Sequence, residues 1–252
     1  MTLVLTSKVY AQGGLVGYWK FDEGSGNIAA DSSGNGNNGT LENAPGWVNG
    51  ENGSGLSFDG VDDFVLVPDS SSLHISGAVT VMAWVYLPSG SDCSGHPKIL
   101  SKNGPSNVLD LELSIQDNAG HVGFGVGGVY PDNYLVSTGS VPRNLWTHIA
   151  ATYDGSLLKI YLNGVFDSSL AFTGGINTDN DRPLTIGKNN FYPWSYEYWL
   201  NATIDEVRVY NRALSQQEIQ LVVPEFPSFL VVPLFMMATL LAVVVYRRKV
   251  RS

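Results

Sequence analysis

The sequence predicts an all-β domain followed by one C-terminal transmembrane helix, and three observations lead to that fold class. Glycine and proline account for 28 and 12 of the 252 residues, which is too many turn formers for a helical bundle. Short apolar runs separated by Gly, Asn, Asp and Ser clusters fill residues 12–222, a spacing typical of a sandwich or a barrel. The third observation is one long apolar run near the end of the chain, at residues 228–246.

Two stretches give the clearest strand signals. Residues 79–86 (VTVMAWVY) are mostly β-branched, aromatic or apolar, which predicts a central strand covered on both faces. Residues 157–162 and 165–168 flank Asn163-Gly164, a dipeptide that favours a type I′ turn because both positions accept a positive φ. These residues therefore predict a β-hairpin.

The end of the β region carries a strand and then a short helix. Val207 and Val209 alternate with polar or amphipathic residues, which predicts a half-buried strand. Residues 215–218 (SQQE) form a capping-box pattern and predict a helix start. Because no internal repeat or interior linker is visible, residues 12–222 are expected to form one domain, large enough to bury a sandwich core.

The apolar run at 228–246 has the length of a membrane span. Its 19 residues contain no charged, histidine or amide side chain. As a helix they would extend roughly 28 Å, close to the hydrocarbon thickness of a bilayer. A basic tail follows at 247–252, so the positive-inside rule places that tail in the cytoplasm and the preceding chain outside the cell. The alternative is a buried core helix.

The charge balance excludes some functions. The formal charge is −9, from 14 basic and 23 acidic residues. Four of the basic residues lie in the tail, so residues 1–246 carry 14 − 4 = 10 basic groups against 23 acidic ones, a charge of −13. A chain of this sign is not expected to bind nucleic acid. The single cysteine, Cys93, excludes an internal disulfide framework and a cysteine-cluster zinc site.

Two further features fit export from the cell. Residues 1–11 form a poor signal peptide, yet Val9-Tyr10-Ala11 resembles the end of a cleavage site, so this segment is interpreted as the remnant of a truncated signal peptide. Asn38, Asn52 and Asn201 each begin an Asn-x-Ser/Thr sequon and are candidate glycosylation sites, although such triplets also arise by chance in this composition.

A four-residue motif lies immediately before the predicted span. It consists of Pro224, Glu225, Phe226 and Pro227. Followed by an apolar helix and a basic tail, it resembles the PEF-CTERM sorting signal of archaeal surface proteins. That resemblance implies recognition by an archaeosortase, removal of the helix and attachment to the cell surface. The alternative is a plain membrane anchor whose prolines only break the chain before the bilayer.

Four segments of the β region resemble the laminin-G-like jelly-roll family of the concanavalin A-like lectin/glucanase superfamily. They are LVGYWKFDEGSG at 15–26, GLSFDGVDDFV at 55–65, LWTHIAATYDG at 145–155 and IDEVRVYNRALS at 204–215. The resemblance implies a two-sheet antiparallel jelly-roll sandwich. Asn201 stands where the family usually has glycine, and Trp199, at a usual phenylalanine position, is expected in the core.

The resemblance also implies a structural calcium ion. Pairing of the first and last strands would bring Asp22 near Asp205, and Asp59 could approach the same sheet edge. Calcium takes six to eight oxygen ligands, which carboxylates, carbonyls and water could supply there. Alternatively each aspartate only accepts backbone hydrogen bonds in its own turn, as is expected for Asp31.

An aromatic stretch at 191–199 is the candidate ligand-contact region. Six of its nine residues are aromatic, and rings beside polar groups suit stacking on sugars or proteins. Tyr192, Trp194 and Tyr196 are the predicted contacts. Alternatively these rings cover the edge of the sandwich.

Signals for catalysis are weak. Asp110 and Glu112 would share one face of a strand, similar to the acidic strand of glucanases on this fold, but Val108 replaces the first acid. The four histidines lack metal-ligand spacing, and His148 is expected to pack. The sequence therefore predicts a non-enzymatic cell-surface adhesion or glycan-binding module. The alternatives are a structural envelope protein and, third, a glycoside hydrolase.

Overall fold

A computed structural model describes residues 13–103, 109–128, 133–176, 181–189 and 199–223. Within these residues the chain forms two antiparallel sheets and one α-helix. The predicted all-β class and its two-sheet antiparallel arrangement are confirmed. No helix among the described residues is long and apolar enough to span a membrane, and the predicted span at 228–246 lies outside them.

Sheet I contains the first and last strands of the domain. Its spatial order is β14-β13-β12-β7-β16-β5-β4, and β1 also pairs with β16. The strands are β1 (Leu15–Trp19), β4 (Gly46–Asn49), β5 (Ser54–Asp59), β7 (Val79–Tyr86), β12 (Trp146–Tyr153), β13 (Leu157–Leu162), β14 (Val165–Ala171) and β16 (Asn201–Tyr210).

Sheet II packs against one face of sheet I. Its spatial order is β11-β10-β9-β8-β15-β6-β3-β2. The strands are β2 (Ile28–Ala29), β3 (Gly39–Glu42), β6 (Phe64–Val67), β8 (Lys98–Lys102), β9 (Leu109–Ile115), β10 (His121–Gly128), β11 (Tyr134–Ser140) and β15 (Leu184–Ile186). A short 3-10 turn at Ser71–Leu73 follows β6.

One hydrophobic core fills the space between the sheets. It takes alternate residues from both, such as Val81 and Ile149 from sheet I and Leu111 and Phe124 from sheet II. The predicted central strand is β7, which lies between β12 and β16 and is buried along nearly its whole length. Because inward residues alternate with outward ones, the facing sides of the sheets form the core and their other sides are free to build sites.

The predicted hairpin is confirmed. The strands β13 and β14 are joined by Asn163 and Gly164, whose φ values of 50° and 74° are the left-handed values that a type I′ turn requires. The Asn163 side chain also accepts a hydrogen bond from the backbone N–H of His148 at 2.9 Å. This bond ties the turn to the neighbouring strand β12.

The last strand and the helix differ from expectation in one respect. The capping box at Ser215 and Glu218 is present and starts α1 (Gln216–Val222). However, α1 packs on the outer side of sheet I through Ile219, which contacts a second apolar cluster that includes Met82 and Tyr210. Tyr210 is therefore buried as well as Val209, so β16 is covered on both faces rather than half-buried.

Candidate functional site

The outer side of sheet II carries a continuous cross-strand row. Residues that lie opposite one another on neighbouring antiparallel strands share a face, so the register defines the row directly. We call it the outer row: Tyr134, Gly125, Glu112, Ser101, Thr185, Leu66, Thr40 and Ile28. It crosses all eight strands of sheet II, and its central members Glu112, Ser101 and Thr185 are polar, as is common on the outer side of an antiparallel sheet, but buried.

Glu112 is the centre of a hydrogen-bonded cluster on this face. Its Oε1 atom lies 2.7 Å from Lys98 Nζ and accepts a hydrogen bond from Tyr134 Oη at 2.9 Å. Tyr134 Oη in turn lies 2.6 Å from Ser114 Oγ and accepts from Gln116 Nε2 at 2.7 Å. Glu112 is almost fully withdrawn from solvent, so the ammonium of Lys98 compensates a buried charge.

A glycine leaves room for this cluster. Gly123 of β10 lies directly opposite Ser114. A Cβ atom at Gly123 would come within 2.4 Å of both Gln116 Nε2 and Tyr134 Oη. The absence of a side chain on β10 therefore allows groups from β9 and β11 to meet above it.

At the other end of sheet II, Phe64 and Trp199 form a ring pair. Their centroids are 5.8 Å apart at an interplanar angle of 47°, and both side chains are half-buried. The ammonium of Lys188 lies over both rings, 4.6 Å from the Phe64 centroid and 4.4 Å from the Trp199 centroid. The expectation that Trp199 lies in the core is wrong, because the adjacent Leu200 fills that space and turns Trp199 outward.

Asp22 and Asp205 meet at one loop, as the pairing of β1 with β16 predicted. Asp205 Oδ2 accepts the backbone N–H of Asn52 at 2.9 Å, and Asp22 Oδ1 accepts that of Ser54 at 3.2 Å. Gly53 is required here, because a Cβ atom would lie 2.1 Å from Asp22 Oδ1. Burial, together with the negative charges of Glu206 and Asp22, raises the pKa of Asp205 to about 7.

Asp205 is a fitting ligand for a hard cation. Its Oδ1 atom is buried and has no hydrogen-bond partner among the described residues. A buried carboxylate oxygen is normally satisfied by a donor or a metal. With the Asp22 carboxylate nearby, this oxygen fits calcium, which binds oxygen ligands.

Asp59 lies apart from these two residues. It is opposite Asn201 at the far end of the β5–β16 pair, four positions along β16 from Asp205, or roughly 14 Å. Asp59 instead groups with Asp62 and Asp63, whose carboxylate oxygens lie within 4.8 Å of one another. Its Oδ1 also accepts the backbone N–H of Val61 at 2.8 Å, which closes the turn.

The other predicted site residues have local roles in the structure. Asp31 accepts hydrogen bonds from the backbone of Tyr18 and Asn37, both at 2.9 Å, and so closes its loop.

The three sequon asparagines also make local contacts. Asn38 Oδ1 accepts a hydrogen bond from the Asp31 N–H at 2.8 Å, and Asn52 Nδ2 donates one to Glu206 Oε1 at 3.2 Å. Asn201 begins β16, where the close packing against it is made possible by Gly60.

A buried polar network borders the Asp205 loop on the outer side of sheet I. Tyr18 Oη donates to Glu206 Oε2 at 2.7 Å, and Arg208 pairs with the same carboxylate. The guanidinium carbon of Arg208 stacks 4.0 Å from the Tyr18 ring centroid. Burial and the Glu206 carboxylate raise the pKa of Tyr18 well above its usual range. Glu206 has a φ of 56° and lies at a β-bulge, where the regular alternation of the strand is interrupted. The consecutive carboxylates of Asp205 and Glu206 can therefore both reach their hydrogen-bond partners.

His148 is fully buried nearby. Its ring lies 5.3 Å from that of Trp84 in an edge-on arrangement. Neither ring nitrogen has a hydrogen-bond partner among the described residues. Burial and, second, the positive charge of Arg208 lower the pKa of His148 to about 3.

Several sequence-predicted residues lie outside the described part of the chain. These are the ligand contacts Tyr192, Trp194 and Tyr196, the sorting motif at 224–227, the span at 228–246, the basic tail, and residues 1–11.

Sequence reasoning missed Lys98, Tyr134, Phe64 and Lys188. The alternation of leucine with Asp110, Glu112 and Ser114 in β9 did indicate a polar face. The residues that meet that face come from the strands β8 and β11, and no pattern within β9 identifies them.

These features define the class of the protein as a lectin-type antiparallel sandwich with a polar outer sheet face. The chain belongs to the concanavalin A-like lectin/glucanases superfamily, whose laminin-G family model matches residues 59–220. A comparison with curated proteins gave no match.

Solved structures share the fold at low sequence identity. The binding domain of Paraclostridial Mosquitocidal Protein 1 is 18% identical, with a TM-score of 0.68 over 86% of this chain and 53% of that one. Domain 4 of AbnA, a GH43 extracellular arabinanase from Geobacillus stearothermophilus solved with arabinotriose, is 23% identical, with a TM-score of 0.67 over 83% of this chain and 98% of that one. The botulinum neurotoxin serotype D ligand-binding domain, solved with N-acetylneuraminic acid, is 14% identical, with a TM-score of 0.63 over 86% of this chain and 52% of that one. This chain thus spans about half the length of the two toxin structures.

Proposed function

We propose that the protein is a non-enzymatic glycan-binding or adhesion module whose ligand lies on the outer side of sheet II. The observation that carries this proposal is the half-buried ring pair, Phe64 and Trp199, at one end of a polar outer row. Glycan recognition needs apolar ring surface for contact and polar groups that fix orientation, which the ring pair and the half-buried Lys188 beside it supply. The arabinotriose and N-acetylneuraminic acid complexes of similar structures support a sugar ligand.

The hydrogen bonding of Glu112 supports binding rather than hydrolysis. Retaining hydrolysis needs two carboxyl groups about 5 Å apart, one able to give up a proton. Here one oxygen of Glu112 is held by both Lys98 and Tyr134. An acid engaged in this way is poorly placed to act as a general acid.

A glycan array with the purified protein tests the proposal. We expect a defined set of glycans to bind, and Trp199→Ala to weaken binding at least about tenfold, because stacked aromatic residues dominate binding energy. The control is Trp146→Ala, a half-buried tryptophan on sheet I, which should bind normally. Binding to no glycan would favour a structural envelope protein. Turnover of a bound glycan that is abolished by Glu112→Gln would make the protein a glycoside hydrolase.

We propose calcium as a structural cofactor bound by Asp205 and Asp22. The Oδ1 atom of Asp205, which has no hydrogen-bond partner among the described residues, supports this assignment. When bound, the ion would neutralise the two carboxylates and hold the loop that carries Asn52 and Ser54. At a hundredfold excess over its dissociation constant, calcium would add about 2.7 kcal/mol to the free energy of unfolding.

Melting curves with and without calcium test that cofactor. We expect the melting temperature to rise with calcium, and the rise to disappear in Asp205→Asn. Asp154→Asn is the matched control, since the Asp154 carboxylate accepts the backbone N–H groups of Ser156 and Leu157 within its own turn. A melting temperature that is insensitive to both calcium and EDTA would rule the ion out.

We also propose that the module is presented on the outside of an archaeal cell, with an archaeosortase-type enzyme as processing partner. The motif at 224–227, the apolar run and the basic tail support this proposal. Mass spectrometry of the mature surface protein should find a C-terminus near the motif. An intact tail at 247–252 in the mature protein would refute processing.

A further inference from the structure

Lys188 is a cation held between two aromatic faces. Its ammonium lies 4.4 Å from the Trp199 ring centroid and 4.6 Å from that of Phe64. An ammonium over an aromatic face is attracted by the electron-rich ring surface, so the side chain is held in place without an acidic partner.

Lys188 differs from the two lysines of β8, because each of those forms an ion pair with a carboxylate. Lys98 lies 2.7 Å from a Glu112 oxygen, and Lys102 lies 2.7 Å from an Asp69 oxygen. Among the described residues, no carboxylate lies within the 4.0 Å ion-pair distance of Lys188 Nζ. The positive charge of Lys188 is thus not neutralised by any carboxylate of the described residues.

The backbone fixes this lysine beside the outer row. Gly187 has a φ of 87°, and a Cβ atom there would lie 2.6 Å from the core residue Phe58, so the chain turns outward at this glycine. Thr185, a member of the outer row, donates from Oγ1 to the carbonyl oxygen of Lys188 at 2.9 Å. The ammonium and the ring pair therefore lie next to the central, buried part of the outer row.

We propose that Lys188, Phe64 and Trp199 form a subsite for a carboxylate-bearing sugar, such as a uronic or sialic acid unit of a longer glycan. Lys188 Nζ donates a hydrogen bond to the sugar carboxylate, and the sugar C–H groups contact the exposed parts of the two rings that the ammonium leaves free. This inference rests on the proposed glycan-binding function. Because the chain has a formal charge of −9, its overall field repels an acidic glycan, and recognition depends on a local cation such as Lys188.

Calorimetry with matched acidic and neutral oligosaccharides tests the subsite. The pairs are sialyllactose against lactose, and oligogalacturonate against its carboxyl-reduced counterpart. We expect the acidic member to bind at least roughly tenfold more tightly, since hydrogen bonds to charged groups contribute enough for a tenfold to hundredfold difference. Lys188→Gln should remove that preference, and Lys188→Arg should keep most of it.

Two further variants test the ring and the position of the lysine. Trp199→Ala should weaken both ligands and also reduce the acidic preference, because Trp199 helps to hold the Lys188 ammonium. Lys159→Gln, a lysine on β13 of sheet I, should change neither affinity. Higher salt should weaken acidic binding in the wild type and have less effect in Lys188→Gln, because solvent-exposed charges are screened. Circular dichroism and melting temperature verify that each variant is folded.

The outcomes distinguish this inference from the proposed function. If the neutral member binds as tightly as the acidic one, or if Lys188→Gln keeps the acidic preference, the carboxylate subsite is wrong and glycan binding stands. If no glycan binds the wild type, both the subsite and the proposed function fail.

Discussion

His148 illustrates how one buried side chain can make the stability of the whole domain depend on pH. Its pKa falls from the usual 6.5 to about 3 in the folded protein, because burial disfavours the charged ring. Between these two values the unfolded chain binds more protons than the folded one. The free energy of unfolding therefore decreases as the pH falls from about 6.5 towards 3, and the contribution of His148 is complete above pH 6.5.

We predict that His148→Leu makes the domain less sensitive to acid. The His148 ring has no hydrogen-bond partner in the part of the chain that the structure describes, so replacing it by an apolar side chain should also be nearly neutral, or stabilising, at pH 7. Urea unfolding at pH 7 and at pH 4 measures both effects. The control is His96→Gln, since His96 is exposed to solvent. An equal acid-induced loss in His148→Leu and the wild type would assign the sensitivity to other groups.

Asp167 connects the two edge strands β14 and β11, which belong to different sheets. Its carboxylate accepts the backbone N–H groups of Thr138 at 2.8 Å and of Gly139 at 2.7 Å, and also the Thr138 hydroxyl at 3.1 Å. These bonds occupy donors on the free edge of β11, where an unpaired strand would otherwise invite association with another chain. They also lower the pKa of Asp167.

We predict that Asp167→Ala lowers the free energy of unfolding by about 1–3 kcal/mol, because two backbone donors lose a charged acceptor. Asp167→Asn keeps one acceptor oxygen and should lose less. Urea denaturation gives both values, and light scattering shows whether the freed edge promotes association. An Asp167→Ala variant as stable as the wild type would mean that water replaces the carboxylate without cost.

Elements were predicted from the sequence where their signals are local. Asn163-Gly164 specified its turn because both residues must adopt positive φ, and Ser215 with Glu218 specified the start of α1 through a capping box. The burial of Tyr210 could not be predicted, because α1 covers it only after the chain has folded back over sheet I.

The candidate site was less predictable for the same reason. The strand β15 inserts between β8 and β6, and this places Lys188 against Phe64, a residue more than a hundred positions away. Trp199 was assigned to the core by family position, yet the adjacent Leu200 occupies that place. Asp22 and Asp205 were paired correctly because they flank the first and last strands, whereas Asp59 lies at the opposite end of β5.

At the scale of the whole molecule, the two sheets depend on one shared core. Phe58 belongs to β5 of sheet I, yet its ring lies where a Cβ atom of Gly187, at the end of β15 in sheet II, would contact it at 2.6 Å. The pairing of β1 with β16 also joins residues at opposite ends of the described chain. Neither sheet can keep its apolar face covered without the other.

We therefore predict that damage to one sheet unfolds both. Phe58→Ala should cost about 3–5 kcal/mol through the cavity that it leaves, and should lower the melting temperature by roughly 6–20 °C. Tryptophan fluorescence and far-ultraviolet circular dichroism should give coincident single transitions in both the wild type and the variant. Phe166→Ala is the matched control, because Phe166 is 46% exposed on β14 and its loss should cost below about 1 kcal/mol. Separate transitions for the two probes would show that the sheets unfold independently, and a core shared between them could not then be the main source of stability.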